Sequence, residues 1–344
     1  MPPATISVYS PNSSNWRWYE PETASQVRWL FHTEEPTTIL ERVSKRPIVA
    51  RIGSSLRCVE EAKRQRSDLI ISHSASTTFW TSLAMGMQAS EIPLISYSCH
   101  FAFLPTGLRF WRMKQAFLRV QRFVVHSQLE KQKYSAHFGI PIDKFDVVRW
   151  GVQTPKPILD SPHITGSYIC ALGKDGRDYG PLVRAMEKLP DLKLVIVARP
   201  HNLVGIDVPD NVEVLYNIPL ELAMNILHYS QFMALPLKAA DVPCGHITLV
   251  WAMLGRKALV VTESAGVADY IPDGYEAPQV GAGDVDGWVN ALRLMADDPS
   301  RRDRCEELGY HFARNNCSHE AALKGCCDVL RKEGVSIDLD TALM

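Results

Sequence analysis

A chain of 344 residues is too long for one ordinary core and comfortable for two domains. Hydrophobic residues at 46%, charged residues at 22% and a formal net charge of −1 describe an ordinary globular protein whose charge balance demands neither nucleic acid nor an acidic polymer as a partner. No apolar run approaches the roughly 18–20 residues of a membrane-spanning helix, and the first eight residues lack the basic and long apolar segments of a signal peptide, so a cytoplasmic location is expected.

Short β-branched or aromatic runs alternate with helical stretches along the chain, which predicts parallel α/β layers. In the first half the expected strands are 6–10, 48–52, 68–72, 93–97, 122–126 and 145–149. The expected helices there are 23–31, 59–66, 77–88, 108–120 and 128–138. Trp150-Gly151 breaks the pattern, and the stretch that follows carries Pro155, Pro157 and Pro162 with little periodicity, as a linker does. The cycle then restarts with strand 167–172, helix 180–188 and strands 193–198 and 212–216. Helix 220–229, strand 232–236, helix 247–254 and strand 258–262 follow, before closing helices at 285–296, 301–315 and 320–332. The expected division is a first domain over 1–154, a linker over 155–166, a second domain over 167–316 and a C-terminal helical segment over 317–344. Eight cysteines without a C-x-x-C pair read as reduced, mostly buried thiols rather than as disulfides or a zinc site.

Two segments of the second half carry chemistry. In Cys170-Ala-Leu-Gly-Lys-Asp-Gly-Arg-Asp-Tyr-Gly180 a strand ends, glycines permit a tight turn, and Lys174 and Arg177 stand ahead of a helix. Such a turn can gather backbone amides and two cations around a pyrophosphate, or it can be a solvated strand-to-helix turn. In Asp241-Val-Pro-Cys-Gly-His-Ile-Thr248, Gly245 and His246 precede an apolar helix whose N-terminal amides and dipole favour an anion. Thr248 can add a hydroxyl to that site or merely cap the helix.

Taken in order, these segments resemble the retaining glycosyltransferase family 4. Gly173-Lys174 and Arg177-Asp178-Tyr179 stand where the family has a Gly-Arg turn and a downstream basic residue. Ala252-Met253, Lys257 to Thr262, Ala265-Gly266, Asp273-Gly274 and Gly281-Ala-Gly-Asp284 follow its later landmarks, and Asp297-Asp298-Pro299 its closing segment. In the first half, Pro93 to His100, Arg122 to Ser127 and Trp150-Gly151-Val152 match more loosely, so the likeness spans about 93–299. The family's Glu-x7-Glu pair is missing: Pro243 and Trp251 occupy those places, and neither accepts a ribose hydrogen bond as a carboxylate would. Asp241 and Asp269 are candidate substitutes, although the spacing does not show the substitution. Lys174 in place of arginine keeps the charge but loses the fork geometry.

The resemblance implies the α/β GT-B fold, two doubly wound Rossmann-like domains facing a central cleft, with the C-terminal helix packing back on the first domain. It implies transfer of a hexose-type sugar from a nucleoside-diphosphate sugar to a hydroxyl acceptor, a glycan or lipid-linked glycan of the exopolysaccharide type. Configuration is retained, and neither metal nor cofactor takes part. The expected donor-binding residues are Gly173, Lys174, Arg177, Tyr216, Asn217, Gly245, His246, Ile247 and Thr248. His100, at the end of a strand, is expected at the sugar or as a hydrogen-bonded structural residue; with Lys174 and Arg177 it makes up the catalytic set. On the acceptor side stand Trp16, Trp18 and Glu130, the last also readable as a first-turn helix carboxylate.

The basic and aromatic run 107–123 either rests peripherally on the inner face of a membrane or is a domain helix with Leu108, Trp111, Phe117, Leu118 and Val120 packed inward. An inactive nucleotide-sugar-binding partner subunit is the main alternative, supported by Pro243 and Trp251. An epimerase or phosphorylase on the same fold is the lesser one.

Overall fold

The protein is described by a computed structural model over residues 3–11, 17, 19–35, 47–101, 103–153, 161–238 and 243–338. Trp16, Trp18, Asp241 and residues 155–160, half of the expected linker, fall outside the described residues. The chain divides into two compact units, one formed by Met1–Val148 together with the residues from Leu323 onward, the other by Arg149–Ala322.

The first unit contains strands β1 (Ala4–Tyr9), β2 (Val27–His32), β3 (Leu69–His73), β4 (Leu94–Tyr97), β5 (Arg122–Val125) and β6 (Phe145–Val147). Its helices are α1 (Glu20–Thr23), α2 (Pro47–Arg64), α3 (Ala75–Met87), α4 (Gly107–Phe117) and α5 (Gln128–Phe138). All pairings are parallel, in the order β2-β1-β3-β4-β5-β6. Strand pleating sends neighbours to opposite faces. In β3, Ile70 joins the core with Cys58, Ala84 and Phe117, whereas Leu69 and Ile71 join the one containing Ile6, Val8 and Ile95.

The second unit has strands β7 (Ile169–Leu172), β8 (Leu194–Ala198), β9 (Val212–Tyr216), β10 (Met233–Leu235), β11 (Leu259–Thr262) and β12 (Gln279–Val280). They are parallel in the order β12-β11-β10-β7-β8-β9. Between them run α6 (Tyr179–Glu187), α7 (Leu220–Tyr229) and α8 (His246–Leu254), followed by α9 (Val285–Asp297) and α10 (Pro299–Asn316). The chain winds from β7 outward to β9 and then returns to the other side of β7 with β10. The ends of β7 and β10 therefore flank the point where the winding reverses, the place where doubly wound sheets bind ligands.

Helix α11 (His319–Lys332) carries the chain back to the first unit. Leu323, Cys326, Cys327 and Leu330, at helical spacing, are buried with Ile6, Ile71, Val124 and Val148. Arg122 at the start of β5 donates to Glu333 at 2.7 Å and to Asp146 at 3.1 Å, and Lys332 also pairs with Asp146. The expected return of the C-terminal helix is thus found, on an apolar face with a charged clasp beside it.

Four expectations are corrected. Residues 23–31 are not a helix: Val27, Trp29 and Phe31 alternate along β2, and Trp29 and Phe31 pack near Tyr19 at ring separations of 4.6 and 6.5 Å. Residues 48–52 are not a strand but the opening of α2, which begins at Pro47, where a missing amide hydrogen costs nothing. Ser55, Cys58, Val59 and Ala62 are buried at helical spacing farther along it. The two-residue β12 was not anticipated. The division between units falls at Val148 rather than 154, because the Val152 amide already donates to Cys317 O and the Trp150 amide to the Tyr270 hydroxyl.

Leu323→Ala removes a fully buried side chain from this returning helix and is expected to cost about 2–5 kcal/mol in urea denaturation. A loss below about 0.5 kcal/mol would show that the helix contributes little to the first unit.

Candidate functional site

In the second unit the chemistry collects where β7 and β10 end. After Leu172 the chain turns through Gly173 at φ +127° and Gly176 at φ +68°, conformations that a side chain strongly disfavours. A Cβ on Gly173 would lie 2.5 Å from the Arg177 guanidinium, so the turn and the arginine are built for one another. Arg177 folds back under the turn and is only 6% exposed. Its Nε donates to Leu172 O at 3.1 Å, Nη1 to Asp175 O at 3.0 Å and Nη2 to Thr248 Oγ1 at 3.0 Å. Tyr179 closes the turn by donating to Gly173 O at 2.6 Å, and Asn202 holds it from outside by donating to Lys174 O at 2.7 Å.

The bond from Arg177 to Thr248 joins the two segments that the sequence singled out. Thr248 occupies the third position of α8, and Gly245, at φ +93°, is its N-cap. A Cβ on Gly245 would meet Leu237 at 2.9 Å, which is why the helix starts on a glycine. Thr248 does not cap the helix; its hydroxyl accepts from Arg177 instead. Burial pushes the Arg177 pKa below the usual arginine value, yet a guanidinium stays charged at neutral pH. Its hydrogen-bond partners are two carbonyls and a hydroxyl, and among the described residues no carboxylate forms an ion pair with it. Two of its five N–H groups are left over from these three bonds.

The remaining expected donor residues fall into three situations. Lys174 is half-exposed on the turn, 3.9 Å from Asp175. Ile247 is exposed, whereas His246 turns inward, with Nε2 2.6 Å from Gly266 O and its ring 4.7 Å from that of Tyr270. The His246 ring thus serves the fold. Tyr216 ends β9 and is 44% exposed, and Asn217 follows it at φ +52°. With β8 intervening, Tyr216 lies two strands from β7, or about 10 Å.

Pro243 is buried and Trp251 packs into the core, so neither offers a substitute for the missing carboxylates. Asp269 lies in a short helical turn whose carbonyl accepts from Arg149 at 2.9 Å. Sequence reasoning missed Tyr179 and Asn202, which shape the turn through its carbonyls. It also missed Thr262, whose hydroxyl accepts from the Leu237 amide at 2.9 Å. The aromatic following Arg177 and the Asn after Pro200 were the available signals.

In the first unit, His100 and Glu130, read separately in the sequence, form a pair. His100 Nδ1 lies 2.9 Å from Glu130 Oε1, and Glu130 is 1% exposed. The same carboxylate accepts from the His126 amide at 2.9 Å, from Ser127 Oγ at 3.1 Å and from the Tyr134 hydroxyl at 3.3 Å. Ser127 Oγ also accepts from the Glu130 amide at 3.2 Å, so the first-turn reading holds together with the histidine contact. Burial raises the Glu130 pKa, but the contacts with His100 and His126 more than offset it and leave it below the ordinary value. An ionised carboxylate here accepts a hydrogen bond from Nδ1–H of His100.

Because its folded pKa is depressed, Glu130 stabilises the protein above the ordinary glutamate range, and that contribution is lost as pH falls through the folded value. Glu130→Gln is expected to lose about 2 kcal/mol at neutral pH, the size of a few charge-assisted bonds partly replaced. The gap to the parent should narrow in acid, as followed by urea denaturation across pH. A gap independent of pH would show that Glu130 is not ionised in the fold.

Residues 17–156 match the model of Glycosyltransferase Family 4, in the half where the sequence showed the looser likeness. No curated protein sequence matches the chain. Among solved structures, the glycosyltransferase from Rickettsia africae ESF-5 is 14% identical and superposes with a TM-score of 0.72 over 97% of this chain and 99% of its own. HepE from Anabaena in complex with UDP is 11% identical, with a TM-score of 0.72 over 96% and 100%. The UDP-forming α,α-trehalose-phosphate synthase from Burkholderia xenovorans is 13% identical, with a TM-score of 0.69 over 96% and 99%. At these identities the likeness shows the fold. The family model matches most of the first unit, and the fold shared along nearly the whole length is the GT-B architecture of two Rossmann-like domains.

Proposed function

We propose that the chain transfers a hexose from a nucleoside-diphosphate sugar to a hydroxyl of a glycan or lipid-linked glycan, with retention and without a metal. The observation that carries this reading is the bond between Arg177 and Thr248. It fastens a cation-bearing turn to a glycine-led helix start at the reversal point of the second sheet. Among the described residues this buried cation is hydrogen-bonded only to dipoles and so retains positive potential, which an anion would complete. As the sugar leaves, charge builds on the diphosphate, where Lys174, the spare Arg177 N–H groups and the first amides of α8 lie in one neighbourhood. Tyr216 and Asn217 are assigned to the nucleoside, consistent with their two-strand separation from the turn. His100, fixed by Glu130, is assigned to the sugar.

Pro243 and Trp251 support a second reading, an inactive nucleotide-sugar-binding subunit, because the groups that would hold the ribose and sugar hydroxyls are absent. UDP is a natural first probe, since the HepE structures hold UDP and UDP-glucose.

A thermal-shift panel with uridine, guanosine and adenosine diphosphates is expected to give one selective rise of several degrees at saturation. Lys174→Ala should weaken that ligand about tenfold or more at unchanged baseline stability. Arg177→Ala is less informative than the sequence implied, because it also removes three bonds inside the turn. Arg177→Lys keeps the charge while losing the fork, and should bind weakly. No shift with any diphosphate, or full affinity in Lys174→Ala, would refute the site. Binding with neither transfer nor donor hydrolysis would favour the subunit.

A further inference from the structure

We propose that His126 is a positioning residue for His100: its ring fixes the turn that leads from β4 to His100, and its amide fixes the carboxylate that holds the His100 ring. The inference deepens the assignment of His100 to the sugar and rests on it, but every contact involved lies within the first unit.

Strand β4 ends at Tyr97, and Ser98 follows at φ +52°. That left-handed conformation disfavours a side chain, and a serine keeps it only where its surroundings hold it there. Here the holder is His126. Its Nε2 lies 2.9 Å from Ser98 Oγ, and its Nδ1 lies 2.7 Å from Val148 O. A carbonyl only accepts, so Nδ1 carries a hydrogen. With the ring neutral, Nε2 is then an acceptor, and the Ser98 hydroxyl donates to it. Both residues are buried, so bulk water does not compete for the bond.

The chain is pinned on both sides of His100. The Cys99 amide donates to Val124 O at 2.9 Å, and the Phe101 amide donates to the Tyr134 hydroxyl at 3.1 Å. Ser98 thus sets the direction in which this short segment leaves the sheet. The His126 backbone acts from the other side. Its amide donates to Glu130 Oε2 at 2.9 Å, while Glu130 Oε1 lies 2.9 Å from His100 Nδ1. One residue therefore reaches His100 by two routes, through the main chain of the turn and through the carboxylate. A phenyl ring would fill the same space, but only the two nitrogens supply the direction.

The test is nitrogen NMR of isotopically labelled histidine rings in the full chain, in mildly alkaline buffer where imidazoles are neutral. The His100 signals are identified by their loss in His100→Gln. In the parent the His100 hydrogen is expected on Nδ1. Ser98→Gly removes the hydroxyl but adopts the positive φ freely, so its melting temperature should stay within a few degrees of the parent. In the same variant the ratio of the Nδ1-protonated to the Nε2-protonated form of His100 should fall about fivefold, the worth of one net hydrogen bond. His126→Phe should do likewise. His126→Gln, whose amide offers one donor and one acceptor, should restore most of the parental signal. No nucleotide enters these measurements, so their outcome is independent of whether the second unit binds a diphosphate. A parental His100 signal in both Ser98→Gly and His126→Phe would overturn the proposal. So would a His126→Gln signal no different from that of His126→Phe. A Ser98→Gly variant that melts far below the parent and shifts all its histidine signals together would also overturn it, leaving the Ser98–His126 bond as a tie for the fold alone.

Discussion

A guanidinium removed from water is costly unless its charge is answered, and Arg177 is answered only by carbonyl and hydroxyl dipoles among the described residues. The local fold is arranged around that constraint. Gly173 adopts a left-handed conformation because a side chain would displace the guanidinium, Tyr179 and Asn202 fix the carbonyls of the same turn, and Thr248 gives its hydroxyl to the arginine instead of to the helix. Gly245 then lets α8 begin close to Leu237, bringing its first amides toward the turn. The result is a preorganised positive region, and on the proposed reading it lowers the reorganisation cost of stabilising a departing diphosphate.

The first unit solves the opposite problem with the same means. Glu130 is a buried anion, and it is fully answered by an amide, two hydroxyls and an imidazole. Because Tyr134 also accepts from the Phe101 amide at 3.1 Å, the segment just after His100 is tied to α5. His100 is thereby fixed in tautomer and direction while its ring remains partly open to solvent. The contrast is informative. A buried charge that the fold neutralises acts as a structural clamp; one that the fold leaves under-compensated invites a ligand.

Most of the architecture was legible because parallel strands buried on both faces are short, β-branched and separated by helices. Where reading failed, local signals competed. Residues 48–52 look like a strand because Ile, Val and Ile crowd the N-terminus of α2, and only the later spacing of Cys58, Val59 and Ala62 declares a helix. The 27–32 run has strict alternation, but it is short enough to merge with α1 in a helical window. In α4 two interleaved apolar stripes cannot be ranked from periodicity, since Phe110–Phe117 and Leu108–Trp111 both fit a helix. The sheet decides which is buried, and it leaves Leu108, Trp111 and Leu118 exposed, against the expectation that they pack inward. The functional segments showed the same limit. That Lys174 and Arg177 are cations on a glycine turn was visible in the sequence. That one is half-exposed and the other buried against Thr248, 71 residues away, was not. The His100–Glu130 pair, 30 residues apart, was likewise out of reach of local pattern.

The departures from the family pattern affect a different part of the donor from the one that the Arg177 turn would hold. The turn and the start of α8 address charge, and charge recognition needs only amides, cations and geometry. Pro243 and Trp251 fall where hydroxyl recognition is expected, and hydroxyls require directional acceptors. On the proposed reading, diphosphate affinity and sugar selection are therefore separable. A site can keep most of its binding energy for the nucleotide while losing discrimination at the sugar, because a buried polar group that goes unmatched is what makes a site selective. The replacement of both carboxylates by apolar side chains packed into the core leaves no such penalty at those two positions. On that reading, sugar selectivity has to come from groups other than these two side chains.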